Sequence, residues 1–110
     1  MTQALTGIRV IDMTHNQAGP ACAQILGFLG ADVIKLEEPK GGDVARTNMR
    51  DRTDSDSLFF LVLNANKRSL TLNLKTDEGK RLFRWRMGCV DAATWRCRRR
   101  VGGRIVSSQR

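Results

Sequence analysis

The sequence lacks the residues that several function classes require. It has a single histidine and three cysteines, Cys22, Cys89 and Cys97, an odd number with no C-x-x-C spacing. That argues against a zinc centre or a disulfide framework and leaves a reducing, cytoplasmic setting as the expectation. No apolar run approaches the ~20 residues needed to span a bilayer, and the opening MTQALTG has neither the basic patch nor the apolar stretch of a secretory signal. There is no G-x-G-x-x-G dinucleotide fingerprint. A Ser-His-Asp triad is possible on residue count alone, but no nucleophile-elbow sequence supports it. With 110 residues the chain is one domain at most, able to bury a modest core but small for an enzyme with its own cofactor pocket.

What is present is unevenly distributed. The net charge of +8 invites a nucleic-acid reading, yet residues 1–81 carry 11 Lys+Arg against 10 Asp+Glu, whereas residues 82–110 carry 8 Arg, no Lys and one acid. The excess therefore belongs to the tail, and a nucleic-acid partner for the body of the chain is not expected.

GIRVID (7–12) is a β-branched run that reads as a strand. A polar turn follows, and then AGPACAQILGFLG, with Pro20 in the first turn of a helix and Gly30 just past its end. Ala21, Ile25, Leu26, Phe28 and Leu29 give that helix its apolar face. DVIKLEE (32–38) is a second strand, so the order implies a βαβ unit with parallel strands. Pro39–Asp43 breaks the chain, and residues 44–54 read as a loop. SLFFLVLNAN, capped by Ser55 or Asp56, reads as a short buried helix, although its apolar run suits a strand equally. SLTLNL (69–74) alternates as a strand, and Thr76-Asp77-Glu78 starts a further helix. The fold class is α/β, a partial Rossmann-like parallel sheet. Its open edge and uncovered apolar face predict poor solubility or partial disorder.

In such a sheet, ligands gather at the carboxyl ends of the strands. The loop Thr14–Pro20 lies there and offers an imidazole (His15), a carboxamide (Gln17) and a backbone of small residues; a plain β-to-α turn is the alternative. Lys67, Arg68 and Lys75 can meet the phosphates of a nucleotide or form a solvated basic turn. Cys22, near a helix start but among apolar neighbours, reads as a buried structural thiol rather than a reactive one.

Two separated blocks go further. LTGIRVIDMTHNQAGPACAQILGFLGADVIKLEEPKGGDVAR, with its AGP…GADVIK-E…GD..R pattern, and NANKRSLTLNLKTDEGK together resemble the opening of the class III CoA-transferases, over residues 1 to about 83. HNQAGPACAQ and GFLGADVIK are similar to the formyl-CoA:oxalate branch. The resemblance implies a Rossmann-like domain that binds coenzyme A, an interlocked homodimer in full-length relatives, and transfer of CoA from an acyl-CoA to a small carboxylic acid. An Asp nucleophile carries that reaction through enzyme-bound anhydrides and an aspartyl-CoA thioester. Residue by residue, it implies that Gln17 and Ala18 touch CoA, with Gln17 hydrogen-bonding the intermediates, and that Leu72, Asn73, Leu74 and Lys75 hold the CoA nucleotide. Glu38 departs from the branch, where a basic residue stands, and Lys40 is a candidate substitute. The nucleophilic Asp has no counterpart; nothing around Asp91 matches it.

From residue 84 the pattern changes. RWRMGCVDAATWRCRRRVGGRIVSSQR has no sustained period, holds both tryptophans and uses only Arg as its base. This composition reads as a GC-rich frame translated out of phase, a frameshift near residues 83–85, with an Arg-rich nucleic-acid arm as the rival. The expectation is therefore a CoA-transferase amino-terminal piece (1–83) with an aberrant, irregular or disordered tail (84–110), inactive by itself; the alternatives are a CoA- or nucleotide-binding module without catalysis and a basic nucleic-acid-binding protein that acts through the tail.

Overall fold

A computed structural model of the chain describes residues 2–50 and 52–87, together with the two-residue strands Val90–Asp91, Arg96–Cys97, Arg100–Val101 and Arg104–Ile105. The chain divides into two compact units, residues 1–72 and 73–110.

In the first unit, β1 (Arg9–Asp12), β2 (Asp32–Glu37) and β3 (Arg68–Thr71) form one parallel sheet in the order β1-β2-β3. Asp12 pairs with Lys35 across β1 and β2, and Glu37 pairs with Thr71 across β2 and β3. Parallel neighbours need a crossover. Helix α1 (Ala18–Phe28) supplies the first, and a 3-10 turn (Val44–Arg46) followed by α2 (Leu58–Asn64) supplies the second. The α/β class and the parallel βαβ arrangement expected from the sequence are those found.

The details depart from the expectation in instructive ways. Helix α1 begins at Ala18, so Pro20 is its third residue, still in the first turn where no N–H is required. Gly30 ends it with φ +101°. The packed face of α1 is made of small residues. Pro20 and Ala23 are buried, and the core around Ala23, Ala31 and Val33 is completed by Leu5, Val10 and Leu26. Ile25 and Phe28 point outward, 59% and 63% exposed. Of the expected apolar face Leu26 packs on the core, whereas Ile25, Phe28 and Leu29 are exposed, because close approach is set by what is small. A Cβ on Gly27 would lie 2.6 Å from Asn66 Nδ2, which donates to Gln24 O at 3.0 Å.

The ambiguous SLFFLVLNAN segment is helical, and its cap is Ser57 rather than Ser55 or Asp56. The Ser57 hydroxyl accepts from Phe60 N at 3.1 Å and donates to Ala45 O. Only Phe60 of this helix is buried; Leu58, Leu61 and Val62 are exposed. Strand β3 is shorter than SLTLNL suggested. It is the outer strand, with all four residues exposed, and the pairing ends with Leu72 N donating to Glu37 O at 2.9 Å.

In the second unit, α3 (Asp77–Met87) starts as expected: Asp77 and Glu78 occupy its first turn, and the Thr76 hydroxyl accepts from Gly79 N at 3.1 Å. A Cβ on Gly79 would fall 1.8 Å from Asn73 O, so only glycine fits this start. The helix continues to Met87, beyond the point where periodicity was read as failing. Past Met87 the described backbone consists of two short antiparallel pairs, β4 (Val90–Asp91) with β5 (Arg96–Cys97) and β6 (Arg100–Val101) with β7 (Arg104–Ile105). The remainder of the tail expectation lies outside the described residues.

Candidate functional site

The carboxyl ends of the strands carry charge into the interior. Asp12 ends β1, Lys35 sits mid-strand in β2, Asp43 follows β2, and Lys67 immediately precedes β3. The four side chains are at most 2% exposed. Lys67 Nζ donates to Asp12 Oδ2, Pro20 O and Asn64 Oδ1, each at 2.8 Å. Lys35 Nζ donates to Asp43 Oδ2 at 2.7 Å and to Thr14 O, and lies 3.8 Å from Asp12 Oδ2. Two carboxylates and two ammonium groups thus alternate and cancel. Buried ions persist where partner charges and hydrogen bonds replace water, as they do here.

The ionisation follows. Burial pushes the Asp12 carboxyl up, but hydrogen bonds from Lys67 and Thr14 outweigh it and hold the group below the usual carboxylate range. Asp43 is likewise pushed up by burial and drawn down further by the Asn16 N–H, Lys35 and the Ala45 N–H. Burial lowers the Lys67 ammonium, with the Asp12 carboxylate working against it.

A second pair braces the same edge. Arg46 grips Glu37 with two bonds, Nε to Oε1 at 2.8 Å and Nη2 to Oε2 at 2.7 Å, and also donates to Asp56. Its guanidinium carbon lies 4.0 Å from the centre of the Phe60 ring. The Arg46 bond holds the Glu37 carboxyl below its ordinary value, against burial. Glu37 Oε1 also accepts from Asp43 N at 2.9 Å, joining the two networks.

Above this floor lies the loop between β1 and α1. Gln17 is the N-cap position of α1, but its side chain makes no capping bond. The carboxamide is exposed and has no hydrogen-bond partner among the described residues. Ala18 follows it, also exposed. Close by in sequence, Gly19 must be glycine, since a Cβ there would sit 2.2 Å from Thr14 Cβ. Beyond β2 and β3 a cleft of about 280 Å³ is lined by Glu37, Glu38, Lys40, Arg46 and Thr71 with the Pro39–Gly42 turn. Lys40 is exposed and makes no ion pair among the described residues. Because the strands are parallel, the loop with Gln17 and the turn with Lys40 leave the same edge of the sheet.

The sequence-predicted site residues fall as follows. Gln17 and Ala18 stand at the exposed start of α1, and Leu72 closes the β2–β3 pairing. Asn73, Leu74 and Lys75 belong to the second unit, where Asn73 Oδ1 accepts from Lys75 N at 3.0 Å. Two readings need correction. Lys67 is neither a phosphate contact nor a solvated turn residue, because its three donors are spent inside the protein. Cys22 is an exposed free thiol, not a buried one, because the helix packs through Pro20 and Ala23. Arg68 is tied to Asp32 at 2.7–2.9 Å, as is Arg9. Asp12, Lys35 and Asp43 were missed. The available signal was a lysine between Ile34 and Leu36, in the apolar centre of a strand.

A parallel α/β sheet with ligand-competent loops at its carboxyl edge defines a class of binding domain. Comparison with known proteins narrows it. The profile of CoA-transferase family III matches residues 5–96, and the chain belongs to that family. It is 60% identical over 83 residues to a formyl-CoA:oxalate CoA-transferase of Streptomyces avermitilis and 52% identical over 83 residues to one of Bradyrhizobium diazoefficiens. Each match covers 76% of this chain and 20% of the relative, so the chain spans about one fifth of the length of these proteins. Among solved structures, a CAIB/BAIF family protein from Brucella suis superposes with a TM-score of 0.66 at 36% identity, covering 76% of this chain and 23% of that one. A hypothetical protein from Mycobacterium tuberculosis gives a TM-score of 0.64 at 42% identity, covering 74% and 22%. Among the described residues, no helix is long and apolar enough to cross a membrane, and no cluster of ligands for a metal ion occurs.

Proposed function

We propose that the chain holds part of the coenzyme A site of a formyl-CoA:oxalate CoA-transferase, the enzyme that passes CoA from an acyl-CoA such as formyl-CoA to a small carboxylic acid such as oxalate. The observation that carries this reading is the Gln17 carboxamide, exposed and without a hydrogen-bond partner among the described residues, at the carboxyl edge of the sheet of a chain that belongs to this family. The 50–60% identity to transferases of that name favours the oxalate branch. In this reading Gln17 and Ala18 meet the thioester end of CoA, and Leu72, Asn73, Leu74 and Lys75 meet its nucleotide. Lys40, on the rim of the cleft, takes the phosphate contact that Glu38 cannot make.

The same reading assigns no catalytic nucleophile to the chain, which is inactive by itself. Transfer belongs to full-length relatives working as interlocked homodimers in the cytoplasm, and the Arg-rich residues 84–110 are an out-of-frame tail. Calorimetric titration of the purified chain with CoA tests the binding claim. Saturable uptake that weakens in Gln17→Ala and Lys40→Ala is expected; an unchanged affinity in both variants refutes the assignment. Formate release from formyl-CoA in the presence of oxalate tests the rest, and turnover by the chain alone would overturn the claim of inactivity. An alternative reading frame past codon 83 that continues the family pattern is the outcome expected for the tail.

A further inference from the structure

We propose that Lys35, Asp43 and Asp12 act as positioning residues, a buried charged tether that fixes the loop Met13–Gln17 and so sets where the Gln17 carboxamide stands. The purpose of the tether rests on the function proposed above; its existence does not.

The case lies in how the loop is held. Thr14 N donates to Asp12 Oδ1 at 2.9 Å, and the Thr14 hydroxyl donates to the same oxygen. Thr14 O accepts from Lys35 Nζ. Asn16 N donates to Asp43 Oδ1 at 2.9 Å. Three main-chain groups flanking His15, the N–H and C=O of Thr14 and the N–H of Asn16, therefore end on side chains of the network. A loop normally leaves such groups to water or to neighbouring main chain. Asn16 also adopts φ +68°, a left-handed conformation that asparagine tolerates better than most non-glycine residues and that turns its N–H toward Asp43.

The anchors are themselves fixed from below. Asp43 Oδ1 accepts from Ala45 N at 2.9 Å, and its Oδ2 takes Lys35 at 2.7 Å. Lys35 rises from the middle strand of the sheet and is buried. Gln17 is the next residue along, and its carboxamide has no hydrogen-bond partner among the described residues. The arrangement spends charge on holding the backbone and leaves the side chain free, as expected of a preorganised contact.

Amide hydrogen exchange on the full chain without ligand tests the tether. The Lys35→Met variant keeps the aliphatic stem and removes the ammonium. Exchange at Thr14 N–H and Asn16 N–H is expected to accelerate about 10-fold or more, while Asp32 N–H and Leu72 N–H, bonded within the sheet to Ile8 O and Glu37 O, stay within about 2-fold. Asp43→Asn keeps an oxygen for Asn16 and Ala45 but loses the ion pair, and an intermediate acceleration at Asn16 is expected. Loop and sheet amides accelerating together, or the loop amides not responding, overturns the proposal. So does failure of both variants to fold, since the network would then be a folding element and not a loop tether. CoA titration separates the two claims. Loss of CoA affinity in Lys35→Met beside an unmodified chain that binds CoA supports the positioning role, whereas an unmodified chain that takes up no CoA refutes the function proposed above and leaves the exchange result to decide the tether.

Discussion

Replacing Lys67 with Met distinguishes a buried structural cation from a surface phosphate ligand. Met occupies much of the space of the lysine stem, so the change mainly removes charge and three hydrogen bonds. Asp12 keeps its bonds from Thr14 but loses its 2.8 Å partner, and the next ammonium, Lys35, is 3.8 Å away. Pro20 O and Asn64 Oδ1 each lose a donor. Removing one member of a buried ion pair costs about 3–5 kcal/mol, because the other charge is left without compensation. A solvated basic residue would change stability by less than about 0.5 kcal/mol. In urea, where the slope for a small domain is about 1–3 kcal/mol per molar, the unfolding midpoint followed by circular dichroism should fall by more than about 1 M. The double variant Lys67→Met/Asp12→Asn removes the stranded charge as well, and should recover roughly 1–3 kcal/mol relative to the sum of the single changes. A midpoint shift of Lys67→Met below about 0.3 M, or strict additivity in the double variant, would refute the buried-network account.

Other consequences can be checked with the same protein. Asp12, Asp43 and Glu37 all have carboxyls held below their ordinary values in the folded state. Their contribution is therefore fully present above the unfolded values near 4 and is lost as pH falls through the lower folded values, so the urea midpoint should be flat from about pH 7 to 5 and drop below about pH 4. A decline already complete at pH 5 would contradict this. Gly19→Ala, which in an ordinary helix would gain up to about 1 kcal/mol, should instead destabilise by about 1–3 kcal/mol because the new Cβ meets Thr14 at 2.2 Å; a raised melting temperature would show that the loop does not press on the helix. Phe60→Ala should cost about 3–5 kcal/mol while Phe28→Ala costs less than about 1, measured by urea melts, since Phe60 is 6% exposed and Phe28 63%.

The legible part of this fold was the part written in local signals. β-Branched and apolar runs located β1 and β2, Gly30 marked the end of α1 and Pro39 the end of β2, and Thr76-Asp77-Glu78 located the start of α3. Misread elements share one cause. In α1 the sequence shows Ala21, Ile25, Leu26, Phe28 and Leu29 as an apolar face, but which residues turn inward depends on the shape of the partner. Here Pro20 and Ala23 are buried and Leu26 packs on the core, while Gly27 lets Asn66 approach. The same choice brings Cys22 to the surface and leaves Leu58, Leu61 and Val62 of α2 uncovered. Hydropathy reports what can be buried, whereas packing decides what is.

The charged floor of the site shows the limit from the other side. Asp12, Lys35, Asp43 and Lys67 are spread over more than fifty residues, and in sequence all but Lys35 look like ordinary surface charge beside a turn. Their meeting depends on the parallel register that sets Asp12 beside Lys35 and on a turn that brings Asp43 back over β2. Neither is visible in local periodicity. Lys35 alone carried a warning, because a lysine between Ile34 and Leu36 shares a strand face with Val33, and that face packs against α1. A buried ammonium calls for a carboxylate within reach, and the chain offers one at the end of the neighbouring strand and another just past its own. The lysine that the sequence offered as a ligand for phosphate, Lys67, is used up in the same way. This leaves Lys40, on the rim of the cleft, as the cation beside β2 that still has its donors available among the described residues, and it is there that a phosphate contact of this unit should be sought.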